Sequence, residues 1–286
     1  MARTVTEGFD VLLSRIPPSE AVTEKARRHR DAIEDCLRRN FSVDKFMAVG
    51  SFGHGTNIPR YSDIDYFMVT PDDELSSNSP MALRQVKNVL ARRFWATDVR
   101  VSSPAVLVPF GSSSTERFEI TPAFADDDEK GVFWIPDGVK EWMLAAPKEH
   151  NAYINKVNDR LNKRAKRLIR LIKLWNGLSG ARLKSIYLEL RVAKGLQEVE
   201  QINYALELTA AFRRIYRTEL AAMQDPIGLT GLIQPCSDAR KSEVLSKISR
   251  ALGRAENALA AESQGEMRKA FYWWNYVFED RFPRYG

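Results

Sequence analysis

Two patterns of hydrophobic residues divide the chain near residue 150. Before that point, short apolar runs bounded by turn-forming residues predict strands at 46–49, 64–69, 101–110 and 117–120. Apolar residues spaced by three and four predict two helices, over 19–40 and over 81–95. Pro17-Pro18-Ser19 is a start signal for the first of them, and a turn is predicted at 111–115. Beyond residue 150 helical spacing dominates, with helices predicted at 153–175, 185–199, 204–222, 237–261 and 264–278. The pattern predicts an α/β half over 1–150 and a helical half over 151–286.

A glycine-rich turn and a pair of aspartates flank the start of the second predicted strand. The turn reads V-G-S-F-G-H-G-T, where Gly50 lets the backbone approach phosphate oxygens and Ser51 adds a hydroxyl. Asp63 and Asp65 lie one residue apart, so their side chains leave the same face of a strand. Adjacent carboxylates repel each other unless a cation lies between them, and oxygen ligands favour Mg²⁺. The pattern indicates a nucleotidyltransferase site for two magnesium ions, with Mn²⁺ as a substitute.

A third carboxylate is expected in such a site, and Glu119 is the candidate. It lies in R-F-E-I-T-P-A, on the next strand and on the face opposite its apolar neighbours. The other nearby acids, at 126–129, form a charged cluster typical of a surface loop. A P-loop is disfavoured, since the turn lacks the lysine that this motif requires.

Composition and charge narrow the class of protein. The chain has 286 residues, 44% of them hydrophobic, and a net charge of +6, which fits a protein that handles polyanions. Residues 151–217 hold 15 Lys and Arg against 5 Asp and Glu, including a basic stripe of Lys163, Lys166, Arg170 and Lys173. Two distant cysteines indicate neither a disulfide framework nor a zinc site, and no apolar run approaches the roughly 20 residues of a membrane span. We therefore expect a cytoplasmic protein without a membrane partner.

Several motifs together resemble one enzyme family. G-S-F-G-H-G-T followed by S-D-I-D-Y-F resembles the signature of DNA polymerase beta-like nucleotidyltransferases. More narrowly, it resembles the bacterial relatives of cyclic GMP-AMP synthase and oligoadenylate synthetase, the CD-NTases of CBASS anti-phage systems. F-E-I-T-P-A-F at 118–124 resembles the family's third-carboxylate strand, with Glu119 in place of Asp. L-I-R-L-I-K-L-W at 168–175, S-I-Y-L-E at 185–189 and Asp225-Pro226 resemble three elements of its helical half.

The resemblance implies a fold and a set of residue roles. The expected fold is α+β: a polymerase beta-like core of mixed sheet flanked by helices over 1–150, with a helical domain like that of oligoadenylate synthetase over 151–286, closing the nucleotide cleft. Asp63 and Asp65 would coordinate both metal ions and Glu119 one of them. The triphosphate would be held by Gly50, Ser51, Lys173 and Ser185.

The resemblance also implies an activity. The enzyme would join nucleoside triphosphates, with ATP and GTP expected, into a cyclic di- or oligonucleotide without a template, releasing pyrophosphate. The product would act on a separate effector protein, and protein regulators fit this scheme. A nucleic-acid activator is not expected, because no zinc-ribbon spacing is present.

Three alternatives stay open at the level of sequence. The same site could build linear chains, as in RNA tailing or oligoadenylate synthesis. The basic helical half could bind nucleic acid beside a vestigial metal site. A third alternative is transfer of a nucleotide onto a protein.

Overall fold

The computed structural model describes residues 2–17, 20–59, 61–111 and 116–286. They form two compact units, one of Pro18–Asn151 and one of Met1–Pro17 with Ala152–Gly286. The first helix, α1 (Val5–Ser14), belongs to the second unit. The predicted helix start at Pro18-Ser19 and the predicted turn at 112–115 lie outside the described residues. A mixed sheet with helices and a separate helical unit confirm the α+β prediction.

The unit Pro18–Asn151 is built around one sheet. Its helices are α2 (Glu20–Arg38), α3 (Gly50–Gly53) and α4 (Ser79–Arg93), and its strands are β1 (Lys45–Ala48), β2 (Ile64–Val69), β3 (Arg100–Ser102), β4 (Ala105–Phe110), β5 (Glu116–Asp127), β6 (Val132–Pro136) and β7 (Trp142–Ala145). The strand order is β1-β2-β5-β4-β3, and β6 pairs with the far half of β5 and with β7. Strands β2 and β5 run parallel, which brings the starts of both strands to the same edge.

The two faces of this sheet carry different side chains. Tyr66 and Met68 of β2 pack in a buried cluster with α2 and α4. Phe67, between them, packs in a second cluster on the other face. Because side chains alternate along a strand, Asp65 is in phase with Phe67, and so is its register partner Glu119. The carboxylates therefore lie on the face opposite α2 and α4.

Two strand predictions needed correction. The single strand predicted at 101–110 is wrong: the chain turns at Ser103-Pro104 and forms the hairpin β3–β4. Proline has no N–H to donate to a ladder, so it favours such a turn. The strand predicted at 117–120 is longer, since β5 reaches Asp127 and includes the first acids of the predicted loop. Strands β6 and β7 were not predicted.

The second unit is mainly helical. It contains α5 (Pro147–Arg160, which begins in the first unit), α6 (Ala165–Leu178), α7 (Ser185–Gly195), α8 (Tyr204–Arg217), α9 (Lys241–Ser263), α10 (Met267–Val277) and the short hairpin β8 (Met223–Gln224) and β9 (Leu232–Ile233). The single helix predicted at 153–175 is wrong, because the helical conformation is interrupted between α5 and α6. Asn162 and Lys163 adopt left-handed φ angles of 51° and 62°, which end a right-handed helix.

The N-terminal helix also departs from the predicted division at residue 150. Thr4 caps α1 by accepting the N–H of Glu7, and Phe9 is fully buried. The Phe9 ring meets Trp274 edge-on at 4.9 Å and Phe282 at 5.1 Å between centroids. This aromatic packing assigns Met1–Pro17 to the helical unit. Among the described residues, no helix is long and apolar enough to cross a membrane.

Candidate active site

The predicted glycine turn forms a short helical turn, α3, between β1 and β2. Gly50 has φ +55°, and a Cβ atom added to it would lie 2.2 Å from Oδ2 of Asp65. The backbone N–H of Val49 donates to the carbonyl oxygen of Asp65 at 2.9 Å, and Ser51 is buried. Only glycine leaves room for the Asp65 carboxylate against this turn, so the turn and the acid form one structural element.

Substituting alanine for Gly50 tests this close approach. Gly50→Ala should lose about 1–2 kcal/mol of unfolding free energy from left-handed strain and also displace the Asp65 carboxylate. Gly55→Ala is the matched control, since Gly55 has φ +67° and open space around its Cβ position. Thermal unfolding should show a larger loss for Gly50→Ala. Equal losses would contradict a steric role for Gly50.

Three carboxylates lie close together at the start of β2 and on the neighbouring strand β5. Asp65 and Glu119 are direct register partners in the parallel pair β2–β5, and Asp63 lies two residues before Asp65. The Asp63 carboxylate is near enough to Glu119 to shift its titration. The structure thus brings together Asp63, Asp65 and Glu119 beside Gly50 and Ser51, all within Pro18–Asn151.

Burial makes two of these acids, Glu119 and Asp63, reluctant to ionise. Burial, and then the negative charge of Asp63, raise the pKa of Glu119 to about 7, against the opposing effect of Arg117. Burial also raises the pKa of Asp63, again opposed by Arg117. In the metal-free protein, a carboxyl group with a pKa near 7 is about half protonated at neutral pH.

The pKa of Glu119 predicts a dependence of stability on pH. Between its ordinary pKa of 4.5 and its folded pKa of about 7, the folded state binds more protons than the unfolded state. Stability of the metal-free protein should therefore fall as pH rises from about 5 to about 8. Unfolding in a chelator should show a shallower fall for Glu119→Gln, although Asp63 still titrates in the same direction. Identical slopes would contradict this assignment.

The donor set fits magnesium by its chemistry, since all three side chains offer carboxylate oxygens. Among the residues that the structure describes, however, no three His, Cys, Asp or Glu side chains form a ready-made metal site. Asp63 instead forms an ion pair with Arg117, with 3.0 Å between Oδ1 and Nε. Metal binding by Asp63, Asp65 and Glu119 stays a prediction.

Lys173 and Ser185, the other two predicted phosphate ligands, lie in the helical unit. Lys173 is only 4% exposed, and its Nζ donates to Oε1 of Glu189, itself 1% exposed, at 2.8 Å. Ser185 is exposed as the first residue of α7. The basic stripe is not a uniform surface, because Lys173 is buried while Lys163 is exposed and pairs with Asp159. Phosphate contacts by Lys173 and Ser185 stay predictions.

Two charged residues of these regions were missed from the sequence. Arg117 had a signal, because it precedes Glu119 by two positions and must share its face of β5. The sequence pattern gave no comparable signal for Glu189, since nothing in α7 shows that its carboxylate is buried against α6.

Comparison with known proteins identifies the family. A model of the "Second Messenger Oligonucleotide or Dinucleotide Synthetase domain" matches residues 3–158, which include the glycine turn and all three carboxylates. The chain belongs to this synthetase family. Its predicted resemblance to the CD-NTases related to cyclic GMP-AMP synthase is thereby confirmed.

Individual members of the synthetase family align along nearly the whole chain. A "Probable cyclic nucleotide synthase" of Bacillus cereus strain VD146 is 24% identical, with 99% of each chain covered. A "Cyclic AMP-AMP-AMP synthase" of Acinetobacter is 25% identical over 98% of this chain and 86% of its own. CdnC of Escherichia coli MS115-1, determined with ATP and in complex with HORMA-deltaN, superposes with a TM-score of 0.73 at 18% identity, covering 97% and 98% of the two chains. The last likeness establishes the shared fold.

Proposed function

We propose that this protein is a template-independent nucleotidyltransferase that joins nucleoside triphosphates into a cyclic di- or oligonucleotide. The observation that carries the proposal is the row of Asp63, Asp65 and Glu119 on one sheet face beside Gly50, inside the segment matched by the synthetase family. Three carboxylates next to a turn that admits phosphate oxygens fit phosphoryl transfer better than simple nucleic-acid binding.

The chain's own residues divide the work of the reaction. Asp63 and Asp65 would hold two magnesium ions, and Glu119 one of them. Bound magnesium supplies positive charge to the triphosphate and acidifies the attacking hydroxyl. Glu119 accepts the proton as the hydroxyl oxygen of one nucleotide bonds to the α-phosphorus of another. The bond from that phosphorus to the bridging oxygen breaks, and pyrophosphate leaves with its electron pair.

The relatives support the choice of substrate and of a protein partner. The similarity to a cyclic AMP-AMP-AMP synthase and to CdnC, which was determined with ATP, favours purine triphosphates, with ATP first. We further propose that the product serves anti-phage signalling by activating a separate effector protein. The complex of CdnC with HORMA-deltaN supports a protein regulator for this chain as well.

The product decides between this proposal and its alternatives. Purified protein is incubated with Mg²⁺ and all four labelled triphosphates, and material that resists phosphatase is identified by mass spectrometry. A cyclic oligonucleotide is expected, and Asp65→Asn serves as the inactive control. Only linear, phosphatase-sensitive chains would replace cyclisation by polymerisation. Absence of turnover, together with salt-sensitive RNA or DNA affinity, would favour a binding module.

A further inference from the structure

Arg117 lies on the face of the sheet that carries Glu119, in contact with the proposed metal ligand Asp63. It belongs to β5, two residues before Glu119. Since Phe118 is the register partner of Ile64, Arg117 lies across from Asp63, and its Nε lies 3.0 Å from Asp63 Oδ1 in an ion pair. The contact therefore follows from the register of two paired strands.

The charges around this contact explain why a cation is needed there. Asp63, Asp65 and Glu119 bring three carboxylates close together, where like charges repel. The guanidinium of Arg117 favours the charged forms of both Asp63 and Glu119. A planar, permanently charged guanidinium binds carboxylates well, so it can serve when no metal is present.

We propose that Arg117 is the counter-cation of Asp63 in the metal-free protein and must release Asp63 before a divalent ion can bind. This inference rests on the proposed role of Asp63 as a metal ligand. Arg117 and the ion compete for the same oxygen, Oδ1, because two cations held there repel each other.

The position of Arg117 allows such a release. Its side chain is 46% exposed, so the guanidinium can turn into solvent when a divalent ion takes its place beside Asp63. Lys173, by contrast, is held in a buried pair and has no such freedom. Arg117 is thus a positioning residue that sets how easily the carboxylates accept a divalent ion.

Metal affinity, measured apart from catalysis, tests the inference. The full chain is titrated with Mn²⁺ while free Mn²⁺ is followed by electron paramagnetic resonance. Removing one positive charge a few ångströms from a divalent ion should tighten Mn²⁺ binding by about five- to tenfold in Arg117→Gln. Arg100→Gln is the matched control, because Arg100 is 52% exposed and pairs with Asp98. Its affinity should equal that of the unmodified protein.

The outcomes separate this inference from the proposed function. Unchanged or weaker Mn²⁺ binding in Arg117→Gln would overturn the competition. If the unmodified protein binds Mn²⁺ no better than Asp65→Asn, the metal assignment itself fails. A second measurement needs no destabilising variant: the Nε–H resonance of Arg117, assigned by its loss in Arg117→Lys, should move when Mg²⁺ is added. A resonance that stays in place at saturating Mg²⁺ would also overturn the inference.

Discussion

Asp65→Asn should abolish nucleotidyl transfer while the fold survives. Asp65 lies between Asp63 in sequence and Glu119 in register, so it is the central acid of the row. A metal held at this site contributes several kcal/mol of charge stabilisation in the transition state, so turnover should fall by at least about a thousandfold. Asparagine keeps one acceptor oxygen and removes a repelling charge, so the unfolding free energy should change by less than about 1 kcal/mol.

The control for Asp65→Asn is an acid in the same unit, Pro18–Asn151, that lies away from Asp63, Asp65 and Glu119. Asp73 is exposed in the loop between β2 and α4, and Asp73→Asn removes the same charge from the protein. Product formation and thermal unfolding are measured for both variants. Turnover in Asp65→Asn that matches Asp73→Asn would move the active site away from this sheet face.

Lys173→Met should be strongly destabilising. The ammonium of Lys173 and the carboxylate of Glu189 are both almost fully buried and lie 2.8 Å apart. Removing Lys173 takes away the charge that neutralises Glu189, and breaking a buried pair in this way costs about 3–5 kcal/mol. Lys163→Met is the control, because Lys163 forms an exposed pair with Asp159 and its loss should cost no more than about 1 kcal/mol. Urea unfolding of the full chain measures both losses.

A double variant separates stability from phosphate binding. Lys173→Met with Glu189→Leu removes both charges, so most of the lost stability should return. If triphosphate affinity also returns, Lys173 acts through the packing of α6 on α7. If affinity stays low in the stable double variant, Lys173 contacts phosphate as the family resemblance implies. Full stability in the single variant would contradict the importance of the buried pair.

Local patterns predicted most of the sheet face that carries the candidate site. Alternation along a strand placed Asp63 and Asp65 on one face, and β2 has the predicted bounds. The hairpin at Ser103-Pro104 was missed because one apolar run covered both of its strands. The break at Asn162 was missed because apolar residues keep their helical spacing across it, while the left-handed φ angles leave no trace in that spacing.

Residue types and the period of two along a strand were enough to predict a carboxylate site, because they specify which carboxylates a strand presents and where glycine is needed. Which charges meet depends on how the strands and helices pack. Asp65 meets Glu119 through the register of β2 and β5, and Arg117 reaches Asp63 through the same pairing. Lys173 is buried against Glu189 because two helices pack together. Such contacts join residues far apart in the chain, so only the packing of whole elements specifies them.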